Sequence, residues 1–209
     1  MKLLILGGGA GILYPSTRVL AAVTGPTDRM PEYPRFDLGP RTGTSHVFEG
    51  ISLACLLLFV ATLPTFARAL DRATGESRSA TMPVVLLSAW AGFRFAAFFV
   101  DPYLEFTVAA ASAFLLCAGV LSAARLVARA HPLAGYGSVL AALFLFSTGI
   151  TSLFPLEVTD ARPLGLGLIH GDPTPFNPGV LVYVAAFVLW ACWVAGVGIA
   201  MVAQRNQQA

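Results

Sequence analysis

Four stretches of this chain carry no charged residue for long enough to cross a bilayer: residues 50–67, 106–124, 132–156 and 173–204. A helix needs about 20 apolar residues to span the hydrocarbon. Lipid offers the backbone no hydrogen-bond partners, so a spanning segment must satisfy its own. A fifth run, 82–100, is interrupted only by Arg94. Pro83 suits a first helical turn, where its missing N–H is not needed. Asp101-Pro102 ends that span and can open the next, as N-cap and first helical residue.

Charged residues make up 11% of the 209 positions, against about 25% in an ordinary soluble domain. That deficit leaves too few charges to solvate a soluble surface. No block of Lys and Arg suggests nucleic-acid binding. The sole lysine, Lys2, excludes a retinal Schiff base inside the membrane. Cys55, Cys117 and Cys192 each fall in an apolar run with no CxxC spacing, and read as small buried thiols at helix contacts.

The segment 3–23 is apolar but holds Gly7-Gly8-Gly9-Ala10-Gly11, Pro15 and Arg18. The start looks like a strand entering a glycine-rich phosphate loop. A dinucleotide fold needs a parallel sheet and an acid about 20 residues on. Here a proline-rich stretch and then membrane helices come next, which argues against nicotinamide dinucleotide. A cleaved signal peptide fits poorly with Arg18. Gly7 and Gly11 instead have the small-xxx-small spacing of close helix packing, and the segment reads as a sixth span kinked near Pro15.

The expectation is therefore an all-α integral membrane protein, a bundle of six transmembrane helices in a single membrane domain, 1–209. The spans are 3–23, 48–68, 82–100, 103–125, 136–155 and 179–202, and two long loops cover 24–46 and 156–177. Alternating the loops puts Lys2, Arg68, Arg72, Arg78, Arg125, Arg129 and Arg205 on one side. The positive-inside rule makes that side, with both termini, cytoplasmic in a bacterial-type inner membrane. Nine of the eleven acids then fall at the outer side. Acids contribute little to insertion, so their crowding marks the outer mouth as a candidate working face.

Arg94 lies inside the third span, two turns before Asp101, and a charge at that depth costs on the order of 3 kcal/mol. It needs a partner, with Asp101, Glu105, Glu49 and Glu157 in range. Trp90, one turn back, would cover the guanidinium by a cation–π contact. The two readings are an ion pair that fixes helix register and a contact to an anionic substrate, to which Trp90 and Asp172 would contribute. His46 and Glu49 stand one turn apart at the start of the second span, and His170 and Asp172 lie in the last outer loop. Converging with Asp101 and Glu105, they form a His/carboxylate group of the kind used for metal binding or acid–base chemistry. Each also has a plainer reading: Asp101 as an N-cap, and Glu49 and Glu105 as first-turn acids favoured by the helix dipole.

Haem is argued against, because His46 is at a helix end, His170 in a loop and His131 on the opposite side. Gly135-Tyr136-Gly137-Ser138 has the glycine-flanked serine of intramembrane proteases, but no histidine lies on a later span. Ser147, Thr148, Thr151 and Ser152, and the stripe Cys192, Gly196, Ala200, suit contacts within the bundle or to a partner subunit or second copy. Trp190, Trp193 and Tyr183 suit interface anchoring. The first functional expectation is a non-catalytic accessory component that handles lipid or a small molecule. The second is a membrane-embedded enzyme acting on a lipid-like substrate at the outer mouth. The third is a small transporter, which would want helices broken at mid-membrane.

Overall fold

The computed structural model describes residues 2–24, 43–75, 81–99, 106–153 and 178–206. Six helices account for them: α1 (Lys2–Val23), α2 (Gly43–Thr74), α3 (Thr81–Phe99), α4 (Phe106–Ala128), α5 (Pro132–Leu153) and α6 (Pro178–Asn206). Among the described residues there is no strand. The segment after Lys2 is thus a helix and not the opening of a sheet. Five helices are long and apolar enough to cross a membrane, and α3 adds a shorter apolar stretch, Thr81–Phe93. The chain is an all-helical membrane bundle. Its α2 has 32 residues, about 48 Å at roughly 1.5 Å per residue, and so overreaches the hydrocarbon of about 30 Å.

Each helix packs on its chain neighbours, and α6 closes the ring on α1. The α4–α5 connection is the short turn Arg129–His131, where the Arg129 and Ala130 N–H groups donate back to Leu126 and Val127. Close approach there depends on Gly135: a Cβ on it would sit 2.6 Å from the Ala128 Cβ. Midway along the pair, the Cys117 thiol donates to the Ala142 carbonyl at 3.2 Å. At the end of α2, Gly75 takes φ 69° and its N–H caps the Asp71 carbonyl at 3.0 Å, an ending that suits glycine.

The glycine run in α1 is what closes the ring. Gly7 lies directly on Thr62 of α2, leaving no room for a Cβ. On the other face a Cβ at Gly8 would come 2.6 Å from the Gly198 carbonyl oxygen of α6, and one at Gly11 would come 3.0 Å from the Val194 carbonyl oxygen. In lipid there is little hydrophobic force between helices, so this backbone-to-backbone dispersion contact drives association. Later residues of α1 meet earlier residues of α6, and Gly7 near the start of α1 meets Thr62 far along α2. Both neighbours therefore run antiparallel to α1, and the start of α1 and the end of α6 share one end of the bundle with Asp71. Both helices continue through their prolines, Pro15 in α1 and Pro64 in α2.

The packing corrects three expectations. Trp190 and Trp193 are not interface anchors: both are buried at the bundle centre. The stripe Cys192, Gly196, Ala200 is not the contact of α6 with the bundle. Cys192 and Gly196 are exposed, and a Cβ on Gly196 would meet nothing. The packing stripe is Val194, Val197, Gly198 and Met201 instead, on the opposite face. Of the three thiols, Cys55 and Cys117 are half-buried and Cys192 is exposed.

Candidate functional site

All three tryptophans of the chain meet on the axis of the bundle. Trp90 of α3 sets its ring edge-on to Trp190 of α6 at 5.3 Å between centroids, and Trp190 stacks on Trp193 at 5.4 Å. Tyr14 of α1 and Phe59 of α2 meet Trp190 and Trp193 edge-on at 6.2 Å. An indole N–H buried away from water needs an acceptor, and each has one from a different helix. Trp90 Nε1 donates to Ser112 Oγ of α4 at 3.2 Å, Trp190 Nε1 to Tyr14 Oη at 3.1 Å, and Trp193 Nε1 to Ser138 Oγ of α5 at 2.7 Å. One aromatic knot thereby touches all six helices. Ser138, the glycine-flanked serine, is fully buried and also donates to the Ala134 carbonyl at 2.8 Å.

Near one end of the knot lies a buried ion pair. Arg18 Nη1 of α1 stands 3.7 Å from Glu49 Oε1 of α2, with the two side chains 10% and 6% exposed. Four residues separate Arg18 from Tyr14, so the guanidinium sits about one turn beyond the Tyr14–Trp190 bond. Ser52, one turn into α2 from Glu49, donates back to the Glu49 carbonyl at 2.8 Å. Glu49, one of the acids offered to Arg94, is thus paired with Arg18, and the Arg94 side chain lies outside the described residues. A signal for this pair is present in the sequence: Arg18 and Glu49 each stand at the edge of an apolar run, on helices joined in sequence, and buried charges pair.

At the other end, Arg129 Nη2 of α4 lies 2.9 Å from Asp71 Oδ1 and donates to Thr74 Oγ1 at 2.7 Å, tying α4 to α2. The rise along α2 from Glu49 to Asp71 is about 33 Å at roughly 1.5 Å per residue. The two ion pairs therefore bracket about one hydrocarbon thickness, and between them Arg68 alone is charged on α2.

The remaining sequence candidates divide by what the structure places. Trp90 is fully buried in the knot. His46 belongs to α2 and Arg94 to α3, but their side chains lie outside the described residues, as do Asp101, Glu105, His170 and Asp172 altogether. The structure thus joins Glu49 to Arg18 and Trp90 to Trp190. Among the described residues, no three His, Cys, Asp or Glu side chains come together as a metal would require. Thr148 is buried and Ser147 exposed, and both hydroxyls donate to carbonyls one turn back in α5. No protein-family profile, curated protein sequence or solved structure matches this chain.

Proposed function

We propose that the chain is a multi-pass protein of a bacterial-type inner membrane, with both termini cytoplasmic, acting as a non-catalytic accessory component that handles lipid or a small molecule at its outer mouth. The observation that carries this reading is the aromatic knot. It fills the bundle axis with rings whose N–H groups are already bonded. Glu49, buried near that end of the bundle, is engaged by Arg18. A working surface then belongs beyond the ion pair, on the side to which the positive-inside assignment gives eight further acids besides Glu49. Unbroken helices through Pro15 and Pro64 favour a static bundle over a transporter with broken helices. Its partners are the bilayer and, through the outward Cys192–Gly196 face, a partner subunit or second copy.

The second reading, an enzyme using His46, Asp101 and His170 at the mouth, draws on the same crowding of acids. The test is to purify the wild type and His46→Ala, Asp101→Ala and His170→Ala in mild detergent and measure bound metal and co-purified lipid. Equal metal content across all four supports the accessory role. About one metal per chain in the wild type, lost in each variant, would replace it with the metal-enzyme reading.

A further inference from the structure

Three arginines stand outside these pairings. Arg68 and Arg72 on α2 and Arg125 on α4 are exposed. Among the described residues none of them makes a hydrogen bond or ion pair. Each lies within about one helical turn of a single joint along its own helix. Arg129, one turn past Arg125, reaches from α4 to Asp71 at 2.9 Å and to Thr74 at 2.7 Å. Arg72 is the chain neighbour of Asp71, and Arg68 is one turn before Arg72 on the same face of α2. The Arg129 side chain is only 8% exposed, so the carboxylate of Asp71 is committed to it. Among the described residues one carboxylate stands against four guanidiniums there, which leaves the joint positive.

Depth decides what meets that charge. Arg68 and Arg72 lie about 29 and 35 Å along α2 from Glu49. That is the level at which about 30 Å of hydrocarbon gives way to headgroups. A guanidinium there snorkels to the interface, where its fork matches two oxygens of a phosphodiester. A zwitterionic headgroup brings its own ammonium into a field that repels it, while an anionic headgroup does not.

We propose that Arg68, Arg72 and Arg125 form a binding surface for the headgroup of an anionic phospholipid, with the Arg129–Asp71 pair as its rigid floor. The surface lies at the end of the bundle opposite the mouth and is independent of what the mouth does. Basic residues at this level also orient helices during insertion. Lipid binding by the folded, purified protein is a separate property and can be read separately.

The experiment uses the full chain, purified in detergent and exposed to equal amounts of phosphatidylglycerol and phosphatidylcholine. Native mass spectrometry reads retained lipid, and thermal unfolding reads stabilisation. The wild type is expected to retain phosphatidylglycerol preferentially and to unfold at higher temperature with it. The Arg68→Gln, Arg72→Gln, Arg125→Gln triple variant is expected to lose that preference about tenfold, since three charge-assisted contacts go. Millimolar inorganic phosphate is expected to leave retention unchanged, and raising salt to weaken it. A wild type without preference, or a folded triple variant that keeps it, overturns the proposal, as does displacement by inorganic phosphate alone. If the triple variant does not fold, Arg72→Gln and Arg125→Gln are measured singly. Each is expected to weaken retention about threefold, and no change in either overturns the proposal.

Discussion

The indole N–H of Trp193 is surrounded by hydrocarbon and protein, and the Ser138 hydroxyl at 2.7 Å is its acceptor. Ser138→Ala removes the acceptor without opening a large void. The expected loss is about 1–2 kcal/mol, at the upper end of interhelical bonds in membranes, because the donor stays buried. Trp193→Phe removes the donor as well but leaves a gap, so its loss is larger. Stepwise unfolding in denaturing detergent measures both, and a Ser138→Ala variant as stable as wild type would show that the bond contributes nothing. The Arg18–Glu49 pair allows a sharper comparison. Glu49→Gln or Arg18→Gln alone breaks the buried pair and is expected to cost about 3 kcal/mol. The Arg18→Leu, Glu49→Leu double variant, which buries no charge, is expected to unfold closer to wild type than either single variant; a double variant less stable than both would contradict this. The sequence makes the need for partners visible and leaves their choice open. Glu49 is one turn from His46 and pairs with Arg18 on another helix. Trp90 is one turn from Arg94 and packs on Trp190. Spacing along one helix reports faces, whereas pairing between helices depends on rotation and depth that the pattern does not carry.

Helices are the legible level. Charge-free runs of this length have one stable form in lipid, so the existence of α2, α4, α5 and α6 is dictated by solvation alone. The glycine run of α1 is legible too, because a sheet around it is incompatible with the membrane helices downstream, and Gly7 and Gly11 do pack as small residues. The choice of stripe on α6 is not. Cys192, Gly196 and Ala200 recur every fourth residue, and so do Val194, Gly198 and Val202 two positions on. Both faces are free of charge, and α6 is apolar all round, so periodicity has nothing to orient it. Close approach of α1 selects the second stripe. Substitution separates the two: Gly198→Val places methyl groups against the Gly8 carbonyl and is expected to destabilise the bundle by about 2–4 kcal/mol through forced separation of α1. Gly196→Val points outward and is expected to change stability by less than about 0.5 kcal/mol. Melting temperatures of the two variants in one detergent check the contrast, and equal effects would place the α1–α6 contact elsewhere.

For the molecule as a whole, ring closure and membrane orientation constrain each other. Because α1 runs antiparallel to both α2 and α6, the start of α1 and the end of α6 must emerge on one side, whichever side that is. Lys2, Arg68, Arg72, Arg125 and Arg129 gather at this end. The sole described acid there, Asp71, is bound to Arg129. A bundle inserted the other way would carry this positive end across the membrane, against the bias that orients short loops. Epitope tags placed at the two termini are therefore expected to be protected from protease in spheroplasts and cleaved in inverted vesicles, both together. Cleavage of the N-terminal tag alone in spheroplasts would mean that α1 does not span, and the Gly8–Gly198 contact would then have to form outside the hydrocarbon. Cleavage of both in spheroplasts would keep the ring and reverse its orientation. The arginine joint at Asp71 would then face the outer surface, and the mouth above Arg18 and Glu49 would open to the cytoplasm.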